Sequence, residues 1–168
     1  MTPEPPRFRA VLATMSVLTL ALVSASCADR EAPEPESDLN QPQAEERIEE
    51  YVDRAADELP VDVELSSVND PAFPPCEGEP GDKDRTVQVR HSFWVDGAPE
   101  DRNEEMADAL HALWQTGDWE ITRDDRPETL QIEATNREDR FRVKFLVGQD
   151  GRPSLSGYSP CVRADEGS

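Results

Sequence analysis

Basic charge, lysine, histidine and cysteine are all scarce in this 168-residue chain, and each scarcity narrows what it can do. Against 37 Asp+Glu stand 17 Lys+Arg, a formal net charge of −20, and only Lys83 and Lys144 are lysines. Phosphate-backbone binding needs a basic footprint, so nucleic acid is not an expected partner. The same charge opposes flat docking on an anionic bilayer and favours solubility by self-repulsion. The two histidines, His91 and His111, both fall inside helix or strand patterns and do not assemble a Ser/His/Asp triad. No Gly-x-Ser-x-Gly elbow, phosphate loop, dinucleotide fingerprint, His-Glu-x-x-His or zinc-spaced cysteine pair occurs. No catalytic residue, metal or cofactor is therefore expected. Carboxylates are so abundant that any two could be paired as acid and base, a pattern without specificity. Long apolar runs are missing too. The longest, Ala10 to Val23, contains Thr14, Ser16 and Thr19 and falls short of the roughly 20 residues a spanning helix needs.

What is present begins with that run. Arg7-Phe8-Arg9 precedes it and the small residues Ser24-Ala25-Ser26 follow, the parts of an export signal over 1–26. Phe8 splits the arginine pair, so the signal is not of the twin-arginine type. Two processing outcomes fit. Ser24 and Ser26 satisfy plain small-x-small cleavage, whereas Cys27 directly after them fits lipidation. Cysteine arithmetic favours lipidation. Of Cys27, Cys76 and Cys161, a lipid on Cys27 leaves the other two free to pair in an oxidising compartment. In the chain-entropy picture a Cys76–Cys161 bridge is worth at most about 4–5 kcal/mol. The expected location is the extracytoplasmic side of the cell membrane, with the membrane contacted only through the lipid on Cys27.

Removing 1–26 leaves 15 Lys+Arg against 36 Asp+Glu. Residues 27–42 read as an acidic, proline-bearing, disordered tether. One domain is expected over 43–163, followed by a polar, disordered tail over 164–168. Gln43 to Leu59 reads as a helix, with Ala44, Ile48, Tyr51, Val52, Ala55 and Leu59 on one face. Val61, Val63 and Leu65 alternate as a strand. A long Pro/Gly-rich connection over 69–84 follows, then a strand ending at Val95. Pro99 opens a second helix and Gly117 closes it. Four short strands begin at Trp119, Leu130, Phe141 and Leu155. The order α-β-β-α-β-β-β-β predicts an α+β two-layer sandwich. Its mostly antiparallel sheet of five to six strands carries both helices on one face and leaves the other polar and open.

The open face is the one candidate ligand surface. It gathers Gln88, Arg90, Ser92 and Trp94 from one strand with Arg140, Arg142 and Lys144 from another, a local basic patch beside an exposed tryptophan. Cross-strand pairing with Glu120 and Glu133 is the plainer account of the same residues. His91, among Val87, Val89, Phe93 and Val95, reads as a hydrogen-bonded core residue, and His111 as flanking the second helix's apolar stripe. Glu77, Glu79, Asp82 and Asp84 in the long connection match no calcium-loop spacing.

The Ser24-Ala25-Ser26-Cys27 signal end, the acidic tether, the helix-then-meander order and the terminal Ser159-Pro160-Cys161-Val162 together resemble small actinobacterial secreted lipoproteins of unknown function, the mycobacterial LppA-like kind among them. The resemblance implies an envelope lipoprotein with one disulfide and carries no site residues across. The expected function is a monomeric, non-enzymatic binding or interaction module. The alternatives are an envelope hydrolase using Asp/Glu and His91, or an inhibitory or structural partner of a basic envelope protein.

Overall fold

A computed structural model describes residues 36–76 and 86–165. The expected signal segment, Cys27 and the acidic residues of 77–85 lie outside the described residues. The element order is α1 (Gln41–Asp57), β1 (Glu64–Ser67), β2 (Thr86–Asp96), a 3-10 turn (Glu100–Arg102), α2 (Asn103–Trp114), β3 (Trp119–Asp124), β4 (Gln131–Asn136), β5 (Arg142–Val147) and β6 (Pro153–Arg163). The strands form one six-stranded sheet in the order β1-β2-β6-β5-β4-β3, and every pairing is antiparallel. The expected α+β sandwich is what the chain adopts. Both helices pack on one face, α1 over β2, β6 and β5, and α2 over β3, β4 and β5.

Local chemistry explains the boundaries. Helix α1 starts two residues before the expected Gln43. Asn40 caps it, accepting from Gln43 N at 3.1 Å, while Gln43 Oε1 accepts from Asn40 N at 3.0 Å. This reciprocal box satisfies two orphan backbone donors at once. The tether and tail boundaries move as well. Glu36 N donates to Cys161 O at 2.9 Å, Asn40 bridges Arg163, and Asp165 N donates to Gln41 Oε1 at 3.3 Å. The ends of the chain around 36–42 and 164–165 therefore belong to the domain. The reason is that β6 runs to Arg163, offers backbone partners to Glu36 and Asn40, and brings Asp165 to the Gln41 side chain.

The connection expected over 69–84 is also partly structured. Ala72 and Arg90 exchange backbone hydrogen bonds at 2.9 Å, Gln88 N donates to Pro74 O, and Cys76 N donates to Thr86 O. Residues 72–76 thus extend the β1 edge along β2. Proline is tolerated there because an edge needs donors on one side only. Strand β1 itself is shorter than expected. Val61 and Val63 pack partly buried against the core ahead of it.

The core is one cluster. Ala44, Ile48, Val52 and Ala55 of α1, together with Met106, Leu110 and Trp114 of α2, meet Val87, Val89, Ile132, Val143, Phe145 and Leu155 of the sheet, all at most 1 % exposed. Gly157 sits between His91 and Val143 in the register. A Cβ there would collide with Ile48, lying 3.1 Å from its Cβ. Absence of a side chain at this one position lets α1 seat directly on β6.

Candidate functional site: the uncovered sheet face

The residues of β2, β6 and β5 that point away from the helices fall in three rows. The first aligns Arg90, Tyr158 and Arg142; the second Ser92, Ser156 and Lys144; the third Trp94, Ser154 and Leu146. Because strand side chains alternate, this register puts all nine on one face. Strand β6 separates the two strands that supply the expected patch, so Arg90 and Trp94 do not adjoin Arg142 and Lys144 directly. Tyr158 stands between them. The Arg142 guanidinium lies 4.9 Å and the Lys144 ammonium 5.6 Å from its ring centroid. At the other end of the face the Arg152 guanidinium lies 4.1 Å above the Trp94 ring. These are cation–π contacts at each end of a row of serines. Ser92 and Ser156 hydroxyls are 2.8 Å apart, and Ser154 Oγ donates to Leu146 O.

Pairing with carboxylates is partial. Glu133 takes Arg142 at 2.9 Å and Asp96 takes Arg152 at 2.8 Å. Glu120 is near Arg137, not the patch. Arg90 donates to Gln88 Oε1 at 2.7 Å, and among the described residues neither Arg90 nor Lys144 has a carboxylate within salt-bridge distance. Ser66 and Arg152 hydrogen bonds hold the Asp96 carboxyl below its ordinary range. Arg140 is not on this face; it lies before β5 with φ of 65°.

His91 is 7 % exposed and lies on the helix side of β2, against Phe93 at 4.1 Å between ring centroids. Its Nε2 is 2.9 Å from Ser67 Oγ, and Glu49 Oε1 is 3.9 Å from its Nδ1. The order Ser–His–Glu resembles a nucleophile, base and orienting acid, but the protons run the wrong way. Ser67 Oγ donates its only hydrogen to Asn69 O at 2.6 Å, so His91 Nε2 must carry the proton that bridges to Ser67. Nδ1 has no hydrogen-bond partner. His91 Nε2 thus donates to Ser67 and does not accept its proton. As the strand pattern indicated, it behaves as a bonded core residue.

The remaining polar networks tie elements together at the rim. Tyr51 OH donates to Asp139 at 2.7 Å, and burial, reinforced by that hydrogen bond, pushes the phenol up to about 12. Arg126 bonds Asp124 and Asp108, and its hydrogen bonds draw the Asp124 carboxyl down to about 2. His111 Nε2 is 3.4 Å from Asp124, and the residue lies within α2 beside its buried stripe, as its position implied. A cavity of about 110 Å³ between the helix ends is lined by Tyr51, Leu113, Trp114 and Trp119. It is well below the ~300 Å³ of an ordinary small-molecule site.

Cys76 and Cys161 are joined, with Cα atoms 6.2 Å apart. Their bridge crosses β2, because β6 and the 72–76 segment flank that strand on opposite sides. No grouping of His, Cys, Asp and Glu suited to a metal occurs among the described residues. Two members of the face, Tyr158 and Arg152, were not legible as such. Period-2 reading of Ser154, Ser156 and Tyr158 against Leu155 and Gly157 carries the signal for Tyr158. Arg152 lies in the β5–β6 turn, where no strand phase applies.

Neither a protein-family description, nor a curated protein, nor a solved structure matches this chain. Function is accordingly argued from the face itself.

Proposed function

We propose that this chain is a lipid-anchored, extracytoplasmic binding module of a bacterial cell envelope. Lipid on Cys27 holds it at the membrane, and the uncovered sheet face receives the ligand. The observation that carries the reading is the concentration of Arg90, Arg142, Lys144 and Arg152 around Tyr158 and Trp94, on a face that no helix among the described residues covers, in a chain with net charge −20. Tyrosine, tryptophan and arginine are the residue types that dominate binding energy at interfaces. The resemblance to small actinobacterial lipoproteins and the Cys27 signal support the location.

A second reading, docking of a basic envelope protein, draws on the outer face of α1, where Glu46, Glu49, Glu50 and Asp53 are exposed. One experiment separates the two. A photo-cross-linking residue is placed at Leu146 on the sheet face or at Glu46 on the helix face of the full chain, which is then irradiated in intact cells. Adducts from Leu146 alone are expected. Adducts from Glu46 alone would transfer the binding role to the helix layer, and none from either site would remove it. Mass spectrometry of the mature N-terminus tests the anchor, and an unmodified Cys27 would overturn that part.

A further inference from the structure

We infer that the cavity at the helix ends is a second binding site, separate from the uncovered sheet face, and that it takes a quaternary ammonium head group. It lies in the helix layer and stands or falls independently of the sheet-face reading.

The helix ends set the charge. α1 stops at Asp57 and α2 at Trp114. Both last turns line the cavity, with Ala55 and Asp57 from α1 and Leu113 and Trp114 from α2. A helix C-terminus carries roughly half a negative charge, so two such ends face one space. Glu58, the C-cap of α1, adds its carboxylate to that of Asp57, and both residues are exposed. Arg54 is the one cation of the lining; one positive group against two carboxylates leaves a net charge of −1. The balance favours a positive guest.

The walls select the kind of cation. Trp119 lies 5.1 Å from Tyr51 and 6.4 Å from Trp114 between ring centroids, and all three line the cavity. Their planes differ by 78° and 42°, so the wall bends around the space instead of lying flat. Trp114 is buried and closes the back, while Trp119 is partly exposed and is the ring a guest meets. Tryptophan is the aromatic side chain that holds cations best. Hydrogen-bond acceptors are few inside. Indole groups only donate, and Ala55 and Leu113 side chains do neither. The Tyr51 hydroxyl is bonded to Asp139. The carbonyls of Ala56, His111 and Leu113 at the two helix ends already accept from Leu59, Gln115 and Thr116. A primary ammonium or a guanidinium would bring N–H donors that this interior leaves unpaired, at a cost. A quaternary ammonium has no N–H to satisfy. Size agrees with that choice. The cavity of about 110 Å³ has room for about three or four waters at ~30 Å³ each, enough for a trimethylammonium group and more than a lone ammonium fills.

The test follows the indole N–H signals of the full chain in neutral detergent by NMR, during titration with choline at constant ionic strength. The Trp114 and Trp119 signals should shift, and that of Trp94, on the other face of the sheet, should stay. Choline should bind at least about tenfold tighter than ethanolamine, which has the same scaffold with N–H in place of methyl. Asp57→Asn with Glu58→Gln should weaken choline binding by about threefold or more, the scale of two exposed charge contacts. Glu46→Gln with Glu49→Gln makes the same charge change farther along α1 and should alter it by less than about twofold, because screening removes distant charges. Arg54→Ala, which takes away the opposing cation, should tighten it. Unchanged melting temperatures show that the variants keep the fold. No choline-dependent shift at Trp119, equal affinity for ethanolamine, or equal weakening by the two carboxylate pairs would overturn the inference. A free solute and a choline lipid present the same group. Adding phosphatidylcholine vesicles separates them: a weakened apparent choline affinity assigns the group to a lipid head group, and an unchanged one to a solute.

Discussion

The two faces of the sheet are built from the same strands and obey different physics. On the covered face, Val87, Val89, Val143, Phe145 and Leu155 are at most 1 % exposed and meet two helices, so volume decides what each position tolerates. On the uncovered face, the alternating partners Arg90, Ser92, Trp94, Arg142, Lys144 and Tyr158 answer to charge and hydrogen bonding. Ser156, Gly157 and Tyr158 are consecutive, yet Gly157 is dictated by Ile48 of α1 and Tyr158 by the cations beside it. One strand can carry a core face and the proposed recognition surface because its side chains alternate in direction. Substitutions on the first face should therefore cost stability, and those on the second should cost binding.

The strongest challenge to this division is the Cys76–Cys161 bridge. Cys161 is opposite Gln88, on the side away from the helices, yet its role is structural. Cys76→Ser with Cys161→Ser should lower unfolding stability by about 2–4 kcal/mol. Chemical denaturation of the oxidised wild type beside the double variant measures it. A loss below ~0.5 kcal/mol would mean that 72–76 holds to β2 through its backbone bonds alone. Next in size is Gly157→Ala. Inserting a methyl against Ile48 should cost about 1–3 kcal/mol. Ser156→Ala, one residue away, should cost under about 1 kcal/mol for its single bond to Ser92. If the collision is the cause, Ile48→Ala combined with Gly157→Ala should cost less than the two changes summed. Strict additivity would place the glycine requirement elsewhere.

Much of the covered face was legible in advance. The helical spacing of Ala44, Ile48, Val52 and Ala55 and the alternation of Phe141, Val143, Phe145 and Val147 depend on burial, and burial imposes a period. Strand order was less accessible. Hairpin spacing links β3, β4, β5 and β6 in sequence, but nothing local says that β6 lies between β2 and β5. That pairing separated Arg90 from Arg142 and placed Tyr158 between them. The edge segment 72–76 was hidden for another reason. Three of its neighbourhood's prolines, Pro71, Pro74 and Pro75, read as loop because proline removes donors, yet an edge pairs on one side only. The helix N-terminus was misplaced by two residues because Asn40 and Gln43 were not read as a reciprocal cap.

Smaller effects belong to the rim, where the helix layer meets the sheet ends. Tyr51→Phe removes the bond to Asp139 and should cost about 1 kcal/mol in denaturant unfolding. Arg47 still faces Asp139 at 3.4 Å, which limits the loss. Asp124 gives a finer readout. Its folded carboxyl lies at about 2, below the ordinary 3.8, chiefly because Arg126 hydrogen-bonds the charged form. Depression of a carboxyl means its contribution to stability is complete above the ordinary value and is lost as pH falls through about 2. Arg126→Ala should return the Asp124 midpoint toward the ordinary range, followed by carboxyl-carbon NMR. A midpoint that stays near 2 would assign the depression to another group.

The smallest expected effect is the most discriminating. Arg90 is exposed and Lys144 only partly buried, and neither has a carboxylate partner among the described residues, so their removal takes away no core contact and no ion pair among those residues. Arg90→Ala and Lys144→Ala should each change unfolding stability by less than about 0.5 kcal/mol, the ordinary range for surface positions. Arg142→Ala differs in one respect. It frees Glu133, whose side chain is 18 % exposed, so a cost nearer 1 kcal/mol is expected there. Thermal melts of the three variants side by side rank them. A large loss for Arg90 or Lys144 would show that the uncovered face helps hold the sheet together, and the division between a face for folding and a face for binding would then fail at its simplest point.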